Sequence, residues 1–130
     1  MVKMPAEVIE FVRANRPALV ATVSPDGAPN VAPKGSLTVL DEEHLVFADL
    51  VAGRTSNNIL MDPRVAVLVL SPDGRGYQIR GRGRFEHGGA LFARSCEAIS
   101  GLRISLPPPR AVVVIEAENI DEIAPPRMPG

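Results

Sequence analysis

The chain has 130 residues, 45% hydrophobic and 22% charged, which suits one globular domain with a real core and leaves no room for a second. Its 14 basic and 15 acidic side chains give a net charge of −1, so no overall field recruits nucleic acid or an anionic membrane. A single cysteine, Cys96, excludes an internal disulfide, and no apolar run approaches the ~20 residues that span a bilayer. With no signal-peptide core after Met1, a cytoplasmic domain is expected, and 11 glycines with 13 prolines suit many turns between short strands.

In chain order, Pro5 to Asn15 reads as a helix with Val8, Phe11 and Val12 on one stripe, ended by Pro17. Leu19-Val20-Ala21-Thr22-Val23 is strand-like and runs into Ser24-Pro25-Asp26-Gly27, a type I turn with glycine placed for a positive φ. Asn30 to Leu40 is expected to return as one long antiparallel partner. The same tetrad recurs as Ser71-Pro72-Asp73-Gly74, so two hairpins share one turn solution. Asp41-Glu42-Glu43 is a charged turn, and His44 opens the strand Leu45-Val46-Phe47-Ala48. His44 and His87 are isolated from each other and from Cys96, and no metal-ligand spacing exists.

Gly53 to Pro63 has room for two turns of helix between two strands. Its first turn carries Arg54, the hydroxyls of Thr55 and Ser56, and unbonded backbone N–H groups, the equipment for holding a phosphate. A merely capped surface helix would show the same residues, and spacing leaves both readings open. Residues 65–70 and 111–115 are apolar at every position, as in strands covered on both faces, and self-association would supply the cover.

From Gly76 to Phe85 the residues alternate, with Gln78, Arg80, Arg82 and Arg84 on one face and the glycines on the other, which suggests a sharp bend or a close backbone approach. The arginine row lacks aromatic partners for nucleic acid and is expected to pair with nearby carboxylates. Ala90 to Ser100 reads as a helix with Phe92, Cys96 and Ile99 on one stripe, Cys96 acting as a small core hydrophobe. A tail from about 121 to 130 is expected to be loose. Six strands and three helices with hairpins first point to a mainly β domain, a small six-stranded antiparallel barrel with appended helices spanning 1–130.

No nucleophile elbow, P-loop or dinucleotide fingerprint is present, and Asp49 and Asp62 stand as isolated carboxylates, so no catalytic residue is assigned. Any redox chemistry would come from a bound cofactor.

The order of motifs is more specific than any one of them. Ala18 to Val23 with its Ser-Pro-Asp-Gly turn, Val31-Ala32-Pro33-Lys34-Gly35-Ser36, Leu45 to Asp49, Arg54-Thr55-Ser56-Asn57-Asn58-Ile59, Asp62-Pro63-Arg64-Val65 and Gly76-Tyr77-Gln78-Ile79-Arg80-Gly81 follow one another. This series resembles the FMN-binding split-barrel superfamily, the pyridoxamine 5′-phosphate oxidase-like flavoproteins, over about residues 5–120, and is most similar to the short single-domain members.

The resemblance implies a Greek-key split barrel and FMN as cofactor, with Arg54 and Thr55 gripping the phosphate and Asn58 at the same helix end. It implies that Pro33, Lys34, Gly35 and Ser36 run beside the flavin ring, that Phe47, Ala48 and Asp49 offer it backbone groups, and that Gln78 contacts the ring or ribityl chain. It also implies a homodimer with two sites at the interface and a small-molecule or redox-protein partner. Longer members of the resembled family end in a segment that helps bind a vitamin B6 substrate, and with a proline-rich tail at that place here, that specific activity is not expected. The function expected is therefore a small FMN-dependent oxidoreductase or electron carrier. A deazaflavin-dependent reductase of the same fold, or a non-enzymatic nucleic-acid-binding barrel along the arginine row, are the alternatives.

Overall fold

The computed structural model describes residues 1–126. Three helices and seven strands follow in the order α1 (Ala6–Ala14), β1 (Ala18–Val23), β2 (Pro29–Lys34), β3 (Thr38–Asp41), β4 (His44–Asp49), α2 (Arg54–Met61), β5 (Arg64–Leu70), β6 (Gly76–Glu86), α3 (Gly89–Ser100) and β7 (Ala111–Ile123). Every strand pair is antiparallel, in one sheet of order β2-β1-β5-β6-β7-β4-β3.

The single strand expected over Asn30 to Leu40 is two strands, which is why there are seven rather than six. Gly35, Ser36 and Leu37 break it with a turn in which the Leu37 N–H donates to the Lys34 carbonyl at 3.4 Å. β2 and β3 lie at opposite ends of the strand order, yet this turn holds Lys34 and Leu37 within about 7 Å of each other. The sheet must therefore curl until its two edges meet, without pairing. The result is a barrel split between β2 and β3.

Both Ser-Pro-Asp-Gly tetrads form the expected turn. Gly27 and Gly74 each have φ of 86°, each glycine N–H donates to the serine carbonyl three residues back, and each serine hydroxyl donates to the aspartate between them. The arginine row is paired with carboxylates as expected: Arg80 with Asp121 at 3.1 Å, Arg82 with Glu118 at 3.4 Å and Arg84 with Glu86 at 3.1 Å.

Two hydrophobic layers form. Val20, Phe47, Val67, Ile79 and Ile115 fill the barrel, closed by Val8 and Val12 of α1. On the outside, α3 lays Ile99, Phe92 and Cys96 over Val46, Ala48, Val112 and Val114. Cys96 thus packs as a small hydrophobe, and burial pushes its thiol pKa up. This layer also corrects one expectation: residues 111–115 are covered on both faces within one chain. Strand β5 differs, because Val65, Val67 and Val69 are buried but Ala66 and Leu68 are only half covered.

β7 continues through Ile123, pairing Asp121 with Gln78 and Ile123 with Gly76, so the expected tail starts later than residue 121. Residues 127–130 of that tail lie outside the described residues. Among the described residues no helix is long and apolar enough to cross a membrane.

The register of β6 against β7 shifts between Arg80 and Gly81, and a Cβ at Gly81 would run into the Glu116 carbonyl. Gly81→Ala is expected to destabilise the protein by roughly 3 kcal/mol, the upper part of the usual single-substitution range. Gly35→Ala meets open space and should change stability by less than about 0.5 kcal/mol. Urea unfolding of the two variants measures both, and equal midpoints would contradict the close approach at Gly81.

Candidate functional site

Helix α2 packs across one end of the barrel. Gly53, extended at φ −158°, precedes its first turn, and no side chain caps it. The first helical bond runs from the Asn57 N–H to the Gly53 carbonyl at 2.9 Å, so the earlier N–H groups have no acceptor within the helix. The inner face of α2 is unusually polar for a buried surface: Thr55, Ser56 and Asn58 are buried beside Ile59. Each polar group has a partner from a different strand. Asn58 Nδ2 donates to Thr22 Oγ1 of β1 at 3.0 Å, Asn30 Nδ2 of β2 donates to Thr55 Oγ1 at 3.3 Å, and the Ser56 hydroxyl donates to Asp49 Oδ1 of β4 at 2.7 Å.

Asp49 is the hinge pin of this end. Only 4% exposed, it also accepts from Arg110 Nε at 3.2 Å and Nη2 at 3.1 Å, so β4, α2 and the start of β7 converge on one carboxylate. Asp62, also isolated in sequence, takes a forked pair of bonds from Arg64 that holds its carboxyl down at about 2.

Arg54 stands apart. It is exposed and has no carboxylate within 4.0 Å among the described residues. It lines a cleft of about 420 Å³ with Asn30, Asn57, Asn58, Ser24 and Asp26. Asp26 Oδ1 accepts from the Ser24 hydroxyl and the Ala28 N–H, and these bonds hold its pKa down, so a charged carboxylate stands at the rim of the cleft. Confined donors, an unpaired guanidinium and open helix N–H groups make this cleft suited to a phosphate.

The split in the barrel supplies the other half. Lys34 holds its ammonium 5.3 Å from the centre of the Phe47 ring, inside the barrel mouth. The Ser36 hydroxyl, buried, accepts the Ala48 N–H at 2.9 Å and so bonds the crossover to β4. Pro33 and Gly35 are exposed on either side of Lys34. Lys34 with Phe47 and Ser36 with Ala48 are thus linked across the split, and Asp49 at the end of the same strand is linked through Ser56 to the helix that carries Arg54, Thr55 and Asn58. Gln78 is not brought there: it lies opposite Leu68 and Asp121 on the outer face of β6, five residues from Gly83, the β6 position beside Ile59 of α2, or about 17 Å along the strand. Thr22, Asn30 and Arg110 complete the cluster and were not singled out from sequence, while Ser56, read there as phosphate equipment, is buried and turns its hydroxyl to Asp49. Arg110 is invisible without the β4–β7 register that sets Asp49 opposite Ala111.

The sequence profile of the family described as Pyridoxamine 5′-phosphate oxidase matches residues 4–124. An uncharacterized protein of Methanocaldococcus jannaschii is 32% identical over 116 residues, covering 88% of this chain and 77% of that one. Among solved structures, HupZ of Group A Streptococcus superposes with a TM-score of 0.80 at 25% identity, covering 94% of each chain. An FMN-binding protein of Syntrophomonas wolfei superposes at 0.74 with 19% identity over 93% of this chain and 89% of that one, a likeness of fold.

Buried, bonded groups and exposed, open ones separate at α2. Asp49→Ala removes the acceptor of Ser56 and Arg110 and is expected to cost about 2 kcal/mol, allowing for the exposed arginine. Arg54→Ala should leave thermal stability within about 0.5 kcal/mol. Thermal unfolding of both variants without added ligand checks this, and a large loss in Arg54→Ala would make that residue structural.

Proposed function

The chain belongs to the pyridoxamine 5′-phosphate oxidase family, and from that membership we propose that it is an FMN-binding flavoprotein, a small oxidoreductase or electron carrier. The observation that carries the proposal is the unpaired Arg54 beside open N–H groups at the start of α2, in a fold that leaves every other polar group of that helix's inner face bonded. A charge kept exposed and unpaired on a helix locked from three strands is preorganised for an anion. Thr55 is held by Asn30 and Asn58 by Thr22, so neither needs to rearrange when a phosphate enters.

When bound, the flavin supplies the hydride or electron chemistry. The chain supplies the setting for it. Lys34 places a positive charge at the barrel split, where it would stabilise negative charge on a flavin ring held there and so raise its reduction potential. The Ser36–Ala48 bond fixes the crossover that carries Lys34. Asp49 ties that strand end to the phosphate end through Ser56.

A homodimer belongs to the same proposal. The outer face of β2, β1 and β5 presents Val31, 63% exposed, with half-covered Ala66 and Leu68, an apolar surface a second copy would bury. Gln78 lies on that outer surface across from Leu68, so in such a dimer it would serve the other subunit's flavin.

Arg54→Ala is expected to weaken FMN about ten- to a hundred-fold, the loss of one charged hydrogen bond of roughly 1.5–3 kcal/mol, and to leave riboflavin nearly unchanged. Fluorescence titration of apoprotein with FMN, riboflavin and a deazaflavin measures this. Equal weakening of FMN and riboflavin would move the phosphate elsewhere, and tight deazaflavin with no FMN binding would favour the reductase reading. Sedimentation should show a dimer at micromolar concentration, and a monomer would remove the shared-site part of the proposal.

A further inference from the structure

Helix α2 divides two clefts. Arg54, Asn57 and Asn58 line the first, while Ser56, Asn57 and Leu60 line the second, so Asn57 stands on the ridge between them. The second cleft, about 410 Å³, shares Asp49 and Ser56 with the flavin reading, but Arg54, Thr55 and Lys34 do not line it. Its volume is that of a small-ligand site.

Its walls are of two kinds. Phe85 and His87, from the end of β6 and the residue beyond it, hold their rings nearly parallel, 15° apart with centroids 6.3 Å from each other, and Leu60 faces them from α2 with 67% of its surface exposed. The other wall is polar. Arg110 gives Nε and Nη2 to Asp49 Oδ2, while Asp49 Oδ1 takes the Ser56 hydroxyl. The guanidinium is therefore fixed in orientation, yet its side chain is 54% exposed and Nη1 has no partner among the described residues. Asn57 adds an exposed amide.

An oriented arginine edge facing an aromatic and aliphatic wall fits a ligand that is apolar along one side and acidic at one end. Because Arg110 already shares its charge with Asp49, a single negative charge suits it better than a phosphate dianion. We propose that this second cleft binds a flat ring bearing one carboxylate, with the acid on Arg110 and Asn57 and the ring between Leu60 and the Phe85–His87 pair. Asp49 lies at the bottom of this cleft and at the end of β4, so the occupant sits beside the strand end assigned to the flavin, where a molecule exchanging electrons with it would be held.

The test uses 2-naphthoate as probe, with the uncharged 2-naphthylmethanol as its control, on the full chain with and without saturating FMN, read by amide NMR shifts. Naphthoate is expected to shift residues around Asn57, Leu60 and His87 and to bind at least about tenfold tighter than the alcohol. Leu60→Glu sets a like charge at the exposed rim and should weaken naphthoate at least about tenfold, while Arg54→Ala changes it less than twofold. Absence of binding, equal affinity for the alcohol, displacement by FMN, or loss in Arg54→Ala with none in Leu60→Glu would each overturn the proposal. Because binding is also read without FMN, failure of the flavin reading leaves this test intact.

Discussion

The turn at Gly35, Ser36 and Leu37 joins two strands that have no pairing with each other and lie at opposite edges of a seven-stranded sheet. Three residues cannot span an open sheet of that width, roughly 28 Å at 4.7 Å per strand spacing. The sheet has to roll up, and it does so leaving a seam. Ser36 secures the seam by taking the Ala48 N–H, and Lys34 leans across it over Phe47. A split with a cation at its mouth is therefore a direct consequence of chain length at one turn. Leu37, fully buried as the last residue of the turn, anchors the crossover in the core, so the geometry does not depend on the exposed Gly35.

The second constraint is the position of α2. A two-turn helix is too short to be stable by propensity alone, and here its inner face is mostly polar. Three strands hold it by one side-chain hydrogen bond each, to Thr22, Asn30 and Asp49. Such bonds are directional, which fixes the helix more tightly than packing against Ile59 could. The first turn is consequently rigid while its outward groups, Arg54 and the unbonded N–H groups, remain available. The same clamp orients Arg110 through Asp49 and so shapes the cleft on the other side of the helix.

Much of this was legible in the residues. The paired tetrads dictated two hairpins because only glycine suits the left-handed positions at Gly27 and Gly74. The alternation from Gly76 to Phe85 gave both the arginine face and a strand bent at close backbone contact. Strand-to-helix order around Arg54 located the short helix whose first turn leaves Arg54 exposed and its N–H groups without acceptors in the helix. The break at Gly35 was hidden because Lys34, Ser36 and Thr38 alternate with Gly35, Leu37 and Val39, so local pattern runs on through the turn and only the closure of the sheet forces two strands. Cover for residues 111–115 was misassigned to a second subunit because nothing in those residues tells whether a helix of the same chain or a partner covers them. The Asp49–Ser56–Arg110 cluster joins residues up to 61 positions apart, and no spacing rule reaches that far.

The central claim is that the start of α2 grips a cofactor by its phosphate. It is tested most directly by comparing FMN and riboflavin on the unaltered apoprotein by calorimetric titration at two salt concentrations. Phosphate anchoring requires FMN to bind at least about tenfold tighter than riboflavin, with the advantage shrinking as salt rises. Equal affinities, insensitive to salt, would contradict it.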